Sequence, residues 1–272
     1  MRALSFTFMQ QALVACLLIA AVAPLVGTFI VQRGQSLVGD GMGHVAFAGV
    51  GLAFLVGVHP IVGALTLTVL AGLTLYRLQR GGLGGDLALA LIFYGGIALG
   101  FLFASRSESG PTTVLGLLFG SPLNLSWGQV VTIAALAVLI VLVVAALYGP
   151  LVAMAFDEPA ARVSGVPTDG LVLALTMLIA LVVVGGMSTI GLLLVSAMMV
   201  VPVAAAAQVA SSYRGTLVGA SAIGAFSAVT GLLTAFYADL TPGSTIVLTA
   251  IGVYGLLNVV RMAGTRLGAR TT

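Results

Sequence analysis

The sequence predicts an all-α fold, a polytopic membrane helix bundle of about nine transmembrane helices, and three observations lead there. Of 272 residues, 60% are hydrophobic and 6% are Asp, Glu, Lys or Arg, where a soluble globular protein carries roughly 25% charged residues. Ten basic and seven acidic side chains cannot cover the surface of a soluble domain of this size, so most of the exterior must face lipid. Long stretches without formal charge recur, from Arg2 to Arg33, Asp40 to Arg77, Asp86 to Arg106, Glu108 to Asp157 and onward to Arg261, each long enough for one or two helices of about 20 residues. These runs are continuously apolar rather than alternating, which favours helices over a barrel. No stretch is polar enough to form a separate water-soluble unit, so residues 1–272 read as one transmembrane domain.

Breaking the runs at Gly, Pro and polar clusters gives candidate helices at 8–31, 37–57, 60–76, 87–104, 127–148, 170–186, 189–209, 216–237 and 244–261. The first is too long for a signal-peptide core, lacks a convincing cleavage site and is followed by many similar segments. His59-Pro60 separates the second from the third, and Gly81-Gly82-Leu83-Gly84-Gly85 the third from the fourth. Ser107 to Pro111 closes the fourth, while Trp127 and Tyr148 bracket the fifth as interface anchors do. Gly149-Pro150, Gly185-Gly186, Ser211-Ser212 and Thr241-Pro242-Gly243 supply the remaining turns. Segments 60–76 and 170–186 are short enough to be re-entrant, which points to a transport pathway. Gly39/Gly43, Gly96/Gly100 and Gly215/Gly219 have the GxxxG spacing of closely packed membrane helices.

With the N-terminus outside and the C-terminus inside, Arg33, Arg77, Arg80, Arg162, Arg214, Arg261, Arg266 and Arg270 fall on the cytoplasmic side and only Arg2 and Arg106 outside. That is the positive-inside asymmetry of a multi-pass plasma (inner) membrane protein with an odd number of spans. The arginines are scattered, so no basic patch suggests nucleic acid. Every basic residue other than histidine is Arg, which removes both the phosphate-gripping Lys of a P-loop and a Schiff-base nucleophile. Cys16 is the single cysteine, so there is no internal disulfide and no thiolate-rich metal cage.

The second segment opens with Gly39-Asp40-Gly41-Met42-Gly43-His44, placing a carboxylate and an imidazole four residues apart on one helix face. Such a pair suits zinc, manganese or ferrous iron, whereas calcium and magnesium prefer oxygen alone. Ionisable groups within a membrane segment are functional candidates, because hydrocarbon penalises them. The same residues also permit a simpler role, Asp40 as a helix cap paired with His44.

The stretch from Arg33 to Gly57 resembles the membrane permease subunit of the zinc/manganese ABC importer family, the ABC-3 type. Phe156-Asp157-Glu158-Pro159-Ala160-Ala161-Arg162-Val163-Ser164-Gly165-Val166-Pro167 agrees, as do Gly191 to Pro202 and Tyr237 to Val247. The commoner family form has Ala and Ser where this chain has Gly41 and Gly43, and Pro where it has Ala48; the candidate ligands are intact. The resemblance implies a permease homodimer in the lipid membrane, cytoplasmic ATP-binding subunits that hydrolyse ATP, and an extracytoplasmic metal-binding protein. It implies no permanently bound cofactor, only a transported Zn or Mn ion. Two Asp40 and two His44 brought together by a two-fold axis would make a four-ligand site, and zinc is favoured because those ligands complete a tetrahedral shell without water.

Asp157, Glu158, Arg162 and Gly165 lie in a polar loop at about 150–168. Glu158 and Arg162 form an i,i+4 pair beginning where Pro159 is well tolerated, and the resemblance makes this the short coupling helix that seats in an ATPase. His59, Glu108 and Asp239 fall at the outer end, as a possible gate or docking points for the binding protein, although a solvated loop or helix cap also explains them. Met187, Met198 and Met199 read as packing residues. Two rival functions remain: a proton-coupled secondary metal carrier in which Asp40 and His44 relay protons, and an ABC permease for a metal chelate.

Overall fold

The computed structural model describes residues 5–106, 120, 122, 125–187 and 190–268, and these contain eleven helices. They are α1 (Thr7–Gln32), α2 (Val38–Val56), α3 (Pro60–Arg80), α4 (Gly85–Arg106), α5 (Trp127–Ala146), α6 (Tyr148–Phe156), α7 (Glu158–Val163), α8 (Thr168–Met187), α9 (Leu192–Ala206), α10 (Tyr213–Ala238) and α11 (Pro242–Gly268). Eight of them, α1 to α5, α8, α10 and α11, are long and apolar enough to cross a membrane, and the fold is the all-α bundle expected.

Local chemistry sets the boundaries. Ser126 and Gln129 form a reciprocal capping box that starts α5. Ser212 accepts a hydrogen bond from the Gly215 amide at 3.1 Å and starts α10. Pro60 and Pro242 open α3 and α11, where a missing amide hydrogen costs nothing. Gly149-Pro150, expected to be a turn, instead lies in the first turn of α6 for the same reason. Gly185-Gly186 belongs to the last turn of α8, which ends at Met187.

Two sequence expectations change. Segments 60–76 and 170–186 are not re-entrant: α3 and α8 run 21 and 20 residues. They lengthen because Arg77, Arg80 and Asp169 sit inside helical turns, where charged side chains near a helix end can reach the interface. The short element is instead the predicted seventh span. Here α9 has 15 residues, about 22 Å at the helical rise, less than the roughly 30 Å hydrocarbon thickness. It packs against α1, α2, α8, α10 and α11, and Val195, Met198, Met199 and Val203 are fully buried. A short helix is tolerated there because other helices of the bundle pack around it.

The helices α1 to α5 and α8 to α11, the short α9 included, alternate in direction, so the bundle has two ends. One end gathers the α1–α2 turn, the α3–α4 turn and the helices α6 and α7. The other gathers the start of α1, the α2–α3 turn and the α10–α11 turn, where Phe6 meets Phe236 at 6.2 Å between ring centres.

Candidate functional site

The face of α2 decides where chemistry is possible. From Val38 to Gly51 every residue is buried except Asp40 and His44, which are partly exposed. Neighbouring helices close the rest. A Cβ at Gly96 of α4 would stand 2.8 Å from the Val45 amide nitrogen, and Gly100 lies directly against the Phe47 ring. On the opposite side, Gly39 and Gly43 face Met199 and Leu192 of α9. The helix is regular through Gly41 and Gly43, so these glycines leave the i,i+4 spacing of the carboxylate and imidazole intact. Of the three GxxxG pairs, Gly96/Gly100 makes the tightest helix contact; Gly215 meets only the Ser212 cap and Ala210.

Asp40 opens into a cavity of about 290 Å³ shared with Leu37, Asp86, Phe93 and Tyr94, and no basic side chain lines it. The Phe93 ring stands edge-on to His44, 4.7 Å between ring centres. Among the described residues no group of three or more His, Cys, Asp or Glu side chains is placed to hold a metal ion. One chain therefore offers Asp40 and His44, two donors of the four a tetrahedral ion requires.

At the end of the bundle nearer Asp40, α7 is a six-residue helix. Asp157 caps it, its carboxylate accepting from the Ala160 amide at 2.9 Å, and Pro159 occupies the first turn. Gly165 leaves the helix at φ +84° with open space around its Cα, a left-handed conformation that glycine adopts without steric cost. The expected Glu158–Arg162 pair forms at 3.5 Å. Ala161 is buried against the bundle, whereas Val163 is 90% exposed.

At the opposite end, His59 caps α3 through a 3.4 Å contact from the Ile61 amide to Nδ1. Asp239 caps α10 with φ 54° and ψ 46°, its amide donating to the Ala235 carbonyl. Both are exposed, and each has a local structural role. Glu108 lies outside the described residues.

The bundle thus carries a half-exposed carboxylate and imidazole one turn apart on α2 and a short capped helix, α7, at the end nearer Asp40. The model of the ABC 3 transport family matches residues 5–261. The chain belongs to that family. It is 29% identical over 254 residues to the manganese transport system membrane protein MntC of Halalkalibacterium halodurans, covering 93% of this chain and 87% of that protein. It is 31% identical over 250 residues to the manganese import system permease protein ScaB of Streptococcus gordonii, covering 92% and 90%. Among solved structures it is similar to PsaBC from Streptococcus pneumoniae in complex with Fab, with a TM-score of 0.85, 29% identity, and coverage of 93% of this chain and 92% of that one.

For an ABC 3 transport family member, two residues beyond the sequence reading now carry weight. Asp86, in the first turn of α4, shares the Asp40 cavity. Arg33, at the end of α1, reaches Glu158 of α7 at 2.6 Å. Sequence spacing signals neither, because both relationships are tertiary: Arg33 and Glu158 are 125 residues apart.

Proposed function

We propose that this chain is the permease subunit of an ATP-driven importer of a divalent transition metal, and that Asp40 and His44 are direct ligands of the transported ion. The observation that carries this reading is the face of α2, buried from Val38 to Gly51 except at a carboxylate and an imidazole one turn apart. Burial on every other side restricts access to a single stripe. Desolvation is costly for both groups in hydrocarbon, and a cation between them offsets that cost.

A second copy of the chain supplies the missing ligands. A two-fold axis beside α2 brings two Asp40 and two His44 to one ion, and the exposed Leu91 and Tyr94 near the cavity form an apolar rim for that contact. Asp86 then stands on the exit side, where a carboxylate attracts a departing cation. Manganese in the names of the relatives and the mixed nitrogen and oxygen donors fit one another; zinc fits the same donors, and the four-ligand shell suits it without added water.

Hydrolysis belongs to separate subunits. The chain has no Lys, hence no P-loop lysine, and α7 with its exposed Val163 supports docking on an ATPase. The end bearing Arg33, Arg80, Arg162 and Arg214 is cytoplasmic by the positive-inside bias, so the opposite end, with His59 and Asp239, is where an extracytoplasmic metal-binding protein delivers its ion, and the sequence expects Glu108 on that side. The C-terminus is then cytoplasmic and the N-terminus outside.

Reconstitution in liposomes with cognate ATPase and metal-binding protein tests this reading. Uptake of manganese or zinc requires hydrolysable ATP and is unchanged when a protonophore collapses the pH gradient. Uptake driven by a proton gradient without ATP would establish the secondary-carrier alternative instead.

A further inference from the structure

Around α7 the charged side chains form one connected network. Arg33, which follows α1, donates from Nη2 to the Glu158 carboxylate at 2.6 Å and from Nη1 to the Met154 sulfur at 3.3 Å. Glu158 also pairs with Arg162, one turn along α7, and Arg162 reaches Asp169 at the start of α8 at 2.8 Å. Asp169 is in turn held by Arg80 at 3.2 Å and by the Tyr76 hydroxyl, both on α3. Gln79 of α3 returns to the α1–α2 turn through Gln35 at 3.4 Å. The network thus links α7 to α8, to α3 and to the turn that leads into α2.

Its members are not equivalent. The Arg33 and Glu158 side chains are 13% and 30% exposed, while Arg80, Arg162 and Asp169 are 42% to 58% exposed. Solvent screens the outer pairs until they hold little; the inner pair is the one whose separation leaves a charge poorly hydrated. Arg33 also lies in a stiff piece of backbone. Gly34 at φ +68° closes α1, with Gly34 N donating to the Val31 carbonyl and Gln35 N to the Ile30 carbonyl. Val38 N then bonds the Gln35 carbonyl and Gly41 N the Leu37 carbonyl, so the hydrogen-bonded path from Arg33 runs without a slack segment into the turn carrying Asp40.

We propose that the Arg33–Glu158 ion pair is the link by which displacement of α7 repositions the Asp40 end of α2, with Arg33 and Glu158 as positioning residues for transport. The proposal rests on the reading of α7 as the ATPase seat and of Asp40 and His44 as metal ligands. When α7 shifts, Glu158 moves with its first turn and Arg33 follows, because leaving either charge behind in a half-buried place is costly. The α1–α2 turn passes that shift on as a rigid unit, changing how Asp40 faces its cavity. A simple structural clip would stabilise the fold in the same way but would not set how much metal moves per ATP.

The test is the ratio of metal transported to ATP hydrolysed, measured in liposomes containing the full complex, for the natural chain, Arg33→Glu, Glu158→Arg and the combined swap. Each single reversal is expected to lower the ratio about tenfold, within the usual range of coupling between sites, while the ATPase remains bound; the swap restores it to within about threefold. Arg80→Gln, at the exposed rim, changes it less than about twofold. Should a single reversal fail to assemble, Arg33→Gln and Glu158→Gln give the same comparison with smaller perturbation. Assembled single variants with the natural ratio would overturn the link, as would equal losses of hydrolysis and uptake that the swap does not rescue. Failure of the natural complex to transport metal with ATP would instead overturn the underlying functional reading.

Discussion

Gly49 of α2 and Gly63 of α3 touch backbone to backbone: a Cβ built on either would collide with the carbonyl oxygen of the other. The two helices can lie this close because neither has a side chain at the crossing. α3 in turn stands against α8, so this contact fixes the side of α2 that faces away from α4, whose Asp86 and Phe93 border Asp40 and His44.

Gly49→Ala or Gly63→Ala forces these helices apart. The expected cost is about 1–3 kcal/mol, seen as a lower melting temperature of the purified protein in one detergent. Gly252→Ala in α11, where nothing lies within 4 Å of the added carbon, should leave the melting temperature unchanged. Equal melting of all three variants would mean that the close crossing is not needed for stability.

Asp40→Ala and His44→Ala are each expected to reduce ATP-driven metal uptake to background in complexes that still assemble and hydrolyse ATP. Asp86→Asn removes a cavity charge without removing a proposed ligand. It should slow uptake severalfold at low salt, and less at high salt, because its attraction acts at longer range. Normal uptake by both alanine variants in folded protein would return Asp40 and His44 to a capping pair.

The helix seat at α7 depends on its two ends. Asp157→Ala deletes the cap hydrogen bond and should cost about 1 kcal/mol of local helix stability, read as weaker ATPase binding. Gly165→Ala should act in the same direction for a backbone reason, since φ +84° costs an L-residue about 1–2 kcal/mol. Gly165→Asn, which tolerates left-handed backbone better, should be milder. Metal affinity is expected to survive all three. Identical ATPase affinity across the set would separate α7 from the docking surface.

Much of this was legible in the chain. Continuous apolarity, with Gly and Pro punctuation, located every long helix, and Asp40 and His44 stood out because so few ionisable groups interrupt the runs. Asp157, Pro159 and Gly165 spelled out a short capped helix in their own order. What pattern does not carry is which helix is enclosed: α9 is as apolar as its lipid-facing neighbours, so its shortness and central position depend on partners far away in sequence. The placement of Asp86 beside Asp40, and of Arg33 on Glu158, has the same origin. Those contacts are made by packing, and no local spacing encodes them.

Charge and capping can be separated at the far end. Asp239→Asn keeps a residue suited to the left-handed cap while removing the carboxylate. Combined with Glu108→Gln, it should slow delivery by the metal-binding protein more at low salt than at high salt, with the melting temperature maintained. Asp239→Val should lower stability in addition, because a β-branched residue is strained at that φ. If delivery and its salt dependence are unchanged in the double variant, docking rests on backbone and apolar contacts.

The most direct measurement is pulsed electron paramagnetic resonance of manganese bound to the assembled permease complex, in the natural protein and in His44→Ala. Coordination by Asp40 and His44 predicts bound manganese showing imidazole nitrogen coupling, with one ion for each pair of chains, and loss of that coupling in His44→Ala. Manganese bound with the same nitrogen coupling in His44→Ala would contradict the account, as would a natural complex that transports the ion but shows no nitrogen ligand.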